Sequence, residues 1–260
     1  MKVITFSAIK GGVGKSSLAI LTSNYLSQSG YKVLCIDLDI QNSLTFYYYP
    51  EKLQDNEKNI FNAMSNNNLT DNIIVKGDLF RKIDIIPSDF NLIKLRSLNI
   101  KTLSRLRNQI ENDYDYCVID TPPTFDNIVL NALCFSDVII TPCFYSLFDY
   151  KALEFYKSQI EIETDKLSAW KILINRYRAP KTENPDTDLN SYIGLFDSVF
   201  SDNILNSKIP ETTIIQKAID SDKTKDNFKI NKSEKKIKAY NAISDLCAEL
   251  FGIENIPEYF

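Results

Sequence analysis

The sequence predicts an α/β protein with a mostly parallel sheet flanked by helices. Three observations carry this. Short β-rich runs alternate with helical segments along the 260 residues, the pattern that lays helices over a parallel sheet. Several of those runs are continuously apolar, as strands covered on both faces are. Three of the seven glycines, Gly11, Gly12 and Gly14, fall in one turn between the first strand and the first helix.

Taken in order, "KVITFSA" (2–8) reads as a strand. Residues 16–29 follow with Leu18, Leu21, Tyr25 and Leu26 on one helical face, and Gly30 stops them. "KVLCIDL" (32–38) is a buried strand, and 82–88, 114–120, 137–143 and 169–175 read alike. Helices are expected at 89–98, 101–112, 125–135, 148–166, 187–199, 211–220 and 233–251. No Pro/Gly linker divides the chain. It is read as one domain, 1–260, with candidate mobile insertions at 50–72 and 221–233.

Composition narrows the function. The chain has no histidine, which excludes imidazole acid–base chemistry and histidine metal ligation. Five cysteines without a C-x-x-C pair fit buried thiols in a reducing, cytoplasmic setting. No apolar stretch approaches the length of a membrane span, and no signal-peptide core is visible. The net charge of −4 means that any nucleic-acid binding must come from a local patch.

The glycine-rich turn is "SAIKGGVGKSS", Ser7 to Ser17. Glycines let a backbone turn tightly and approach an anion without a Cβ clash. Successive N–H groups and the following helix N-terminus then face that anion. Strand, loop and helix together identify a phosphate-binding loop, in which Lys10, Gly11, Gly12, Val13, Gly14, Lys15, Ser16 and Ser17 surround a nucleotide. Lys15 reaches the β- and γ-phosphates, Ser16 ligates Mg²⁺ and Ser17 is expected at the α-phosphate. Ile9 stands where the ordinary loop carries its first glycine. Lys10 is surplus to one phosphate site, so it is expected to point outward, toward a nucleotide on a second subunit.

Asp37 and Asp39 end one predicted strand and Asp120 another. Ligands bind beyond the carboxyl ends of parallel strands. Asp120 is placed to hold Mg²⁺, and Thr121 to Thr124 could sense the γ-phosphate.

The loop K-G-G-V-G-K-S-S resembles the deviant Walker A motif of the ParA/MinD ATPases. "VLCIDLDIQNSLT" (33–45), "YDYCVIDTPP" (114–123) and "IPETTIIQKA" (209–218) are similar to further motifs of that family, with the ParA branch the best fit. The resemblance implies a P-loop ATPase using ATP and Mg²⁺. It implies that Asp39 orients or activates the attacking water and that Asp37 supports the metal. It places Asn175 and Pro210 at the adenine, with Arg176 a lesser candidate. It also implies an ATP-dependent homodimer, non-specific duplex DNA binding on the nucleoid, a ParB-like activating partner and slow intrinsic hydrolysis. The family often reads P-x-Q-x-E near 142–146, whereas this chain has Phe144, Tyr145 and Phe148 nearby, which suits subunit packing. The aromatic run "FYYYP" (46–50) is read as core or interface.

Other classes fit less well. A MinD-like membrane cycle needs a terminal amphipathic helix with a basic face. Here Asp245, Glu249, Glu254 and Glu258 make the end acidic, and 233–251 is read as core packing through Tyr240, Ile243, Leu246 and Leu250. A metal-cluster carrier needs paired bridging cysteines. A dethiobiotin-synthetase-like ligase shares the loop but not the Lys10 signature. For DNA, Lys94, Arg96, Lys101, Arg105 and Arg107 form one basic run, and 222–238 holds seven lysines.

Overall fold

The computed structural model describes residues 1–50, 58–67, 73–77, 83–95, 97–180, 188–211 and 234–253, with side chains of the last segment from Tyr240 onward. Seven strands form one sheet: β1 (Lys2–Phe6), β2 (Val33–Asp37), β3 (Ile83–Ile86), β4 (Tyr116–Asp120), β5 (Val138–Cys143), β6 (Trp170–Tyr177) and β7 (Ile204–Pro210). Their order is β3-β2-β4-β1-β5-β6-β7, and every neighbouring pair is parallel. All carboxyl ends therefore lie along one rim.

The helices are α1 (Lys15–Gln28), α2 (Ser43–Tyr48), α3 (Ile60–Asn66), α4 (Thr102–Arg105), α5 (Asn127–Phe135), α6 (Leu147–Glu163), α7 (Asp188–Phe200) and α8 (Glu234–Phe251). The two-residue side-chain period of a strand feeds both faces. Ile4, Phe6, Val33 and Cys35 pack with α1 and α8, while Val3, Leu34 and Ile36 pack with α3 and α5. Ile139, Ile172 and Trp170 face α6 and α7. Tyr240, Ile243 and Leu246 of α8 are buried and Leu250 packs beside them, as the sequence pattern implies. The run 46–50 also serves packing: the Tyr47 hydroxyl accepts from Asn24, and Tyr48 donates to Asn24 Oδ1 at 2.9 Å, tying α2 to α1. The five cysteines are unpaired.

Several expectations shift. The 89–98 helix is a 3-10 turn over Phe90–Leu95, and 101–112 divides into α4 and a 3-10 turn at Arg107–Gln109. There Leu106, Gln109 and Ile110 bond three residues back rather than four. Strand β7 and helices α2 and α3 were not anticipated, and α3 lies inside the 50–72 insertion. The 211–220 helix beyond Glu211, and the 221–233 insertion, fall outside the described residues.

Both sheet edges are capped in part. Outside β3, Val75 and Ile85 exchange backbone hydrogen bonds at 2.8 and 2.9 Å in an antiparallel bridge. Outside β7, the Glu249 carboxylate of α8 accepts the Asn206 and Ser207 backbone N–H groups, both at 2.8 Å.

Candidate functional site

The site assembles where β1, β2, β4 and β6 end on the carboxyl rim. After β1, the chain turns through Gly12 (φ 73°) and Gly14 (φ 100°) and enters α1 at Lys15. A Cβ on Gly11 or Gly12 would meet nothing within 4 Å, so this side of the loop opens outward. Gly14 is different: a Cβ there would collide with the Asn175 amide.

The two lysines diverge. Lys15 is buried, and its ammonium donates to the Lys10 carbonyl at 3.3 Å. Burial lowers its pKa, while Asp120 and Asp39 pull it back up. Lys10 instead extends to Asp149 on α6, with Nζ 2.6 Å from Oδ2. It also lies 5.7 Å from the Phe144 ring centre, within cation–π range. The same Asp149 oxygen receives the Ser146 hydroxyl, and Ser146 caps α6 by accepting the Asp149 N–H. Asp149 escaped the sequence reading. Its signal was a Ser-x-x-Asp helix start inside an aromatic run.

The three expected carboxylates occupy distinct environments. Asp120 is fully buried, and among the described residues neither oxygen has a hydrogen-bond partner at good geometry, Ser16 being near. Its pKa is pushed well above the ordinary carboxylate range, first by burial and then by Asp37, with Ser16 and Lys15 opposing. Leaving buried acceptors unpaired is costly. A carboxylate orphaned beside Ser16 and Lys15 fits a cation, and Mg²⁺ suits an all-oxygen donor set. Asp37, paired with Asp120 across the β2–β4 register, has its oxygens engaged. Oδ2 accepts the Thr45 N–H and hydroxyl at 2.8 and 2.7 Å, and Oδ1 accepts the Asp39 N–H at 3.0 Å. Burial still raises its pKa to about 6. These bonds make Asp37 the anchor of the loop that carries Asp39. Asp39 is buried at 8% exposure and its Oδ1 accepts the Gln41 N–H at 2.9 Å. Thr121 donates to the Phe6 carbonyl at 3.0 Å, while the buried Thr124 hydroxyl has no partner among the described residues.

On β6, Asn175 Nδ2 donates to the Val13 carbonyl at 2.7 Å, and its Oδ1 accepts the Arg176 N–H at 2.8 Å. The side chain expected at adenine thus braces the phosphate loop. Pro210 closes β7 opposite Tyr177. Arg176 has a φ of 50°, where the β6–β7 register shifts between Ile174 and Tyr177. A left-handed non-glycine residue costs about 1–2 kcal/mol. The Arg176 guanidinium lies 5.3 Å from the Phe144 ring centre, a contact worth about 0.5–1 kcal/mol when exposed. That contact alone does not offset the strain.

The basic run needs one correction. Lys94, Lys101 and Arg105 are exposed, but Arg107 is committed. It meets Asp137 at 2.9 Å, Glu111 at 3.6 Å and the Met1 carbonyl at 3.0 Å, clamping the amino edge of the sheet. Arg96 and the side chains of 222–238 lie outside the described residues.

Known proteins share this architecture. The family model described as AAA domain matches residues 1–168. An uncharacterized protein of Methanocaldococcus jannaschii is 31% identical over 235 residues, covering 84% of this chain and 88% of its own. A virulence plasmid ParA family protein of Chlamydia psittaci is 28% identical, covering 84% of each chain. A plasmid partition protein of Borrelia burgdorferi, solved with AMPPNP bound, superimposes with a TM-score of 0.74 at 27% identity, covering 96% of this chain and 99% of that one.

Proposed function

This chain belongs to the ParA/MinD-type P-loop ATPases, and on that footing we propose that it is a ParA-type partition or positioning ATPase. In this reading it binds ATP with Mg²⁺, closes into a sandwich dimer, binds duplex DNA without sequence preference and hydrolyses ATP slowly until a ParB-like partner accelerates it.

The observation that carries the reading is the divergence of Lys10 and Lys15. Lys15 serves the loop's own phosphates. Lys10, held off that loop by its ion pair with Asp149, is aimed to serve a nucleotide across an interface. Ser16 and Asp120 hold the metal, which when bound neutralises phosphate charge. Asp39, anchored through Asp37 and Thr45, positions the attacking water. Asn175 keeps the loop closed against β6, with Pro210 at the base side.

DNA binding rests on exposed Lys94, Lys101 and Arg105, with the lysines of 222–238. One copy offers few phosphate contacts. Two copies aligned by ATP offer twice as many, so affinity rises with ATP and falls steeply with salt. Co-sedimentation with duplex DNA under ATP, ADP and no nucleotide tests this. Pelleting with ATP alone, lost at elevated salt, is expected. Equal pelleting in all three states, or none, removes the nucleoid-binding reading and leaves a switch for a protein partner.

A further inference from the structure

Among the described residues, three non-glycine positions have positive φ: Asn42, Asn67 and Arg176. Asparagine visits this region readily through local hydrogen bonds. Arginine has no such excuse, and strain of this kind persists where the surroundings enforce it, commonly at functional sites. Here the enforcement is visible. Asn175 grips the Arg176 N–H with one side-chain atom and the Val13 carbonyl with the other, fastening the strained turn to the phosphate loop.

The turn delivers a charge to a particular place. The Arg176 guanidinium and the Lys10 ammonium approach the same ring, Phe144, at 5.3 and 5.7 Å. Lys10 has Asp149 as its counter-ion. The exposed Arg176 guanidinium has no hydrogen bond or ion pair among the described residues. Two cations gathered at one aromatic ring, one of them unneutralised, call for an anion from outside the subunit. A guanidinium fork suits a phosphate group in particular. The subunit's own phosphates have Lys15, whereas Arg176 shares the platform of the lysine that turns away from them.

We infer that Arg176 is a second cation, beside Lys10, presented to the polyphosphate of a nucleotide held by an opposing copy of this chain. Phe144 is the platform that aligns the two. This rests on the ATP-dependent dimer proposed above.

The test uses the full chain and Arg176→Gly, because glycine accepts the left-handed backbone while the whole side chain, guanidinium included, is removed. ADP titration reads loading of the single subunit, sedimentation velocity with Mg²⁺ and ATP reads pairing, and thermal melting reads folding. The expected result is a melting temperature equal to or above wild type, ADP affinity within about twofold, and ATP-dependent pairing weakened by about tenfold or more. Arg176→Lys, which keeps charge but loses the planar fork, falls between. A parallel tenfold loss of ADP affinity places Arg176 on its own subunit's nucleotide and overturns the inference. A drop in melting temperature makes the turn a folding element and also overturns it. If wild type pairs with ATP and Arg176→Gly pairs equally well, this inference alone fails. Wild-type protein that stays monomeric with ATP removes the sandwich reading itself, and the inference with it.

Discussion

Lys10 Nζ lies 2.6 Å from Asp149 Oδ2, a contact that joins the phosphate loop to the first turn of α6. Lys10→Ala is expected to retain nucleotide yet lose ATP-dependent pairing and hydrolysis. Asp149→Ala leaves the lysine unaimed and impairs the same two readouts. Because both act through one contact, the double variant should be no worse than Lys10→Ala. Additive losses by sedimentation and phosphate release would mean that the two side chains act separately.

Gly14 combines a positive φ with the close approach of Asn175, whereas Gly30 has a φ of 93° and open space around its missing Cβ. Gly30→Ala should therefore cost about 1 kcal/mol of stability through backbone strain and leave nucleotide affinity alone. Gly14→Ala adds a collision that pushes Asn175 off the Val13 carbonyl, so it should lower both melting temperature and ATP affinity. Equal behaviour of the two variants would show that the Asn175 brace has no role in loading.

Asp120 has a pKa raised well above its ordinary 3.8 in the folded chain. A raised carboxyl favours folding while protonated. Its contribution is complete below the unfolded value and is lost as pH rises through the folded one. Asp120→Asn has no charge to bury. In metal-free, nucleotide-free protein its melting temperature should exceed wild type, by a margin that widens with rising pH. Its Mg²⁺-dependent ATP affinity should be lost. A variant less stable than wild type at neutral pH would contradict this account.

Asp39→Ala should bind ATP and pair, but turn over slowly. Loss of a residue that positions or activates water commonly costs on the order of a hundredfold or more. Steady-state phosphate release beside a binding titration separates the two effects. Wild-type turnover would move the role to another group.

Much of this was readable in advance, for physical reasons that differ by element. Strands β1, β2, β4 and β5 are largely apolar runs because both faces are covered, and the loop announces itself because the positive φ at Gly12 and Gly14 favours glycine. Strand β7, "ILNSKIP", carries only two buried residues, Leu205 and Ile209, so its pattern is weak. The site's outer layer was hidden because it is non-local. Asp149 meets a lysine 139 residues away, and Asn175 meets a carbonyl 162 residues away. Asp37 looked like its neighbour Asp39 until Thr45, eight residues on, engaged it. Arg107 sat in a run without acids, yet its partner Asp137 is 30 residues away.

The partly guarded edges of the sheet bear on how copies of this chain can meet. An open edge strand is a template for pairing with another edge, whatever either molecule has bound. With the bridge at Val75 along β3 and Glu249 on two N–H groups of β7, that indiscriminate route is narrowed. In the proposed dimer, association is left to side-chain surfaces such as the carboxyl rim, which carries the phosphate loop. A protein whose meetings are to be timed by a ligand must first be unable to meet at other times.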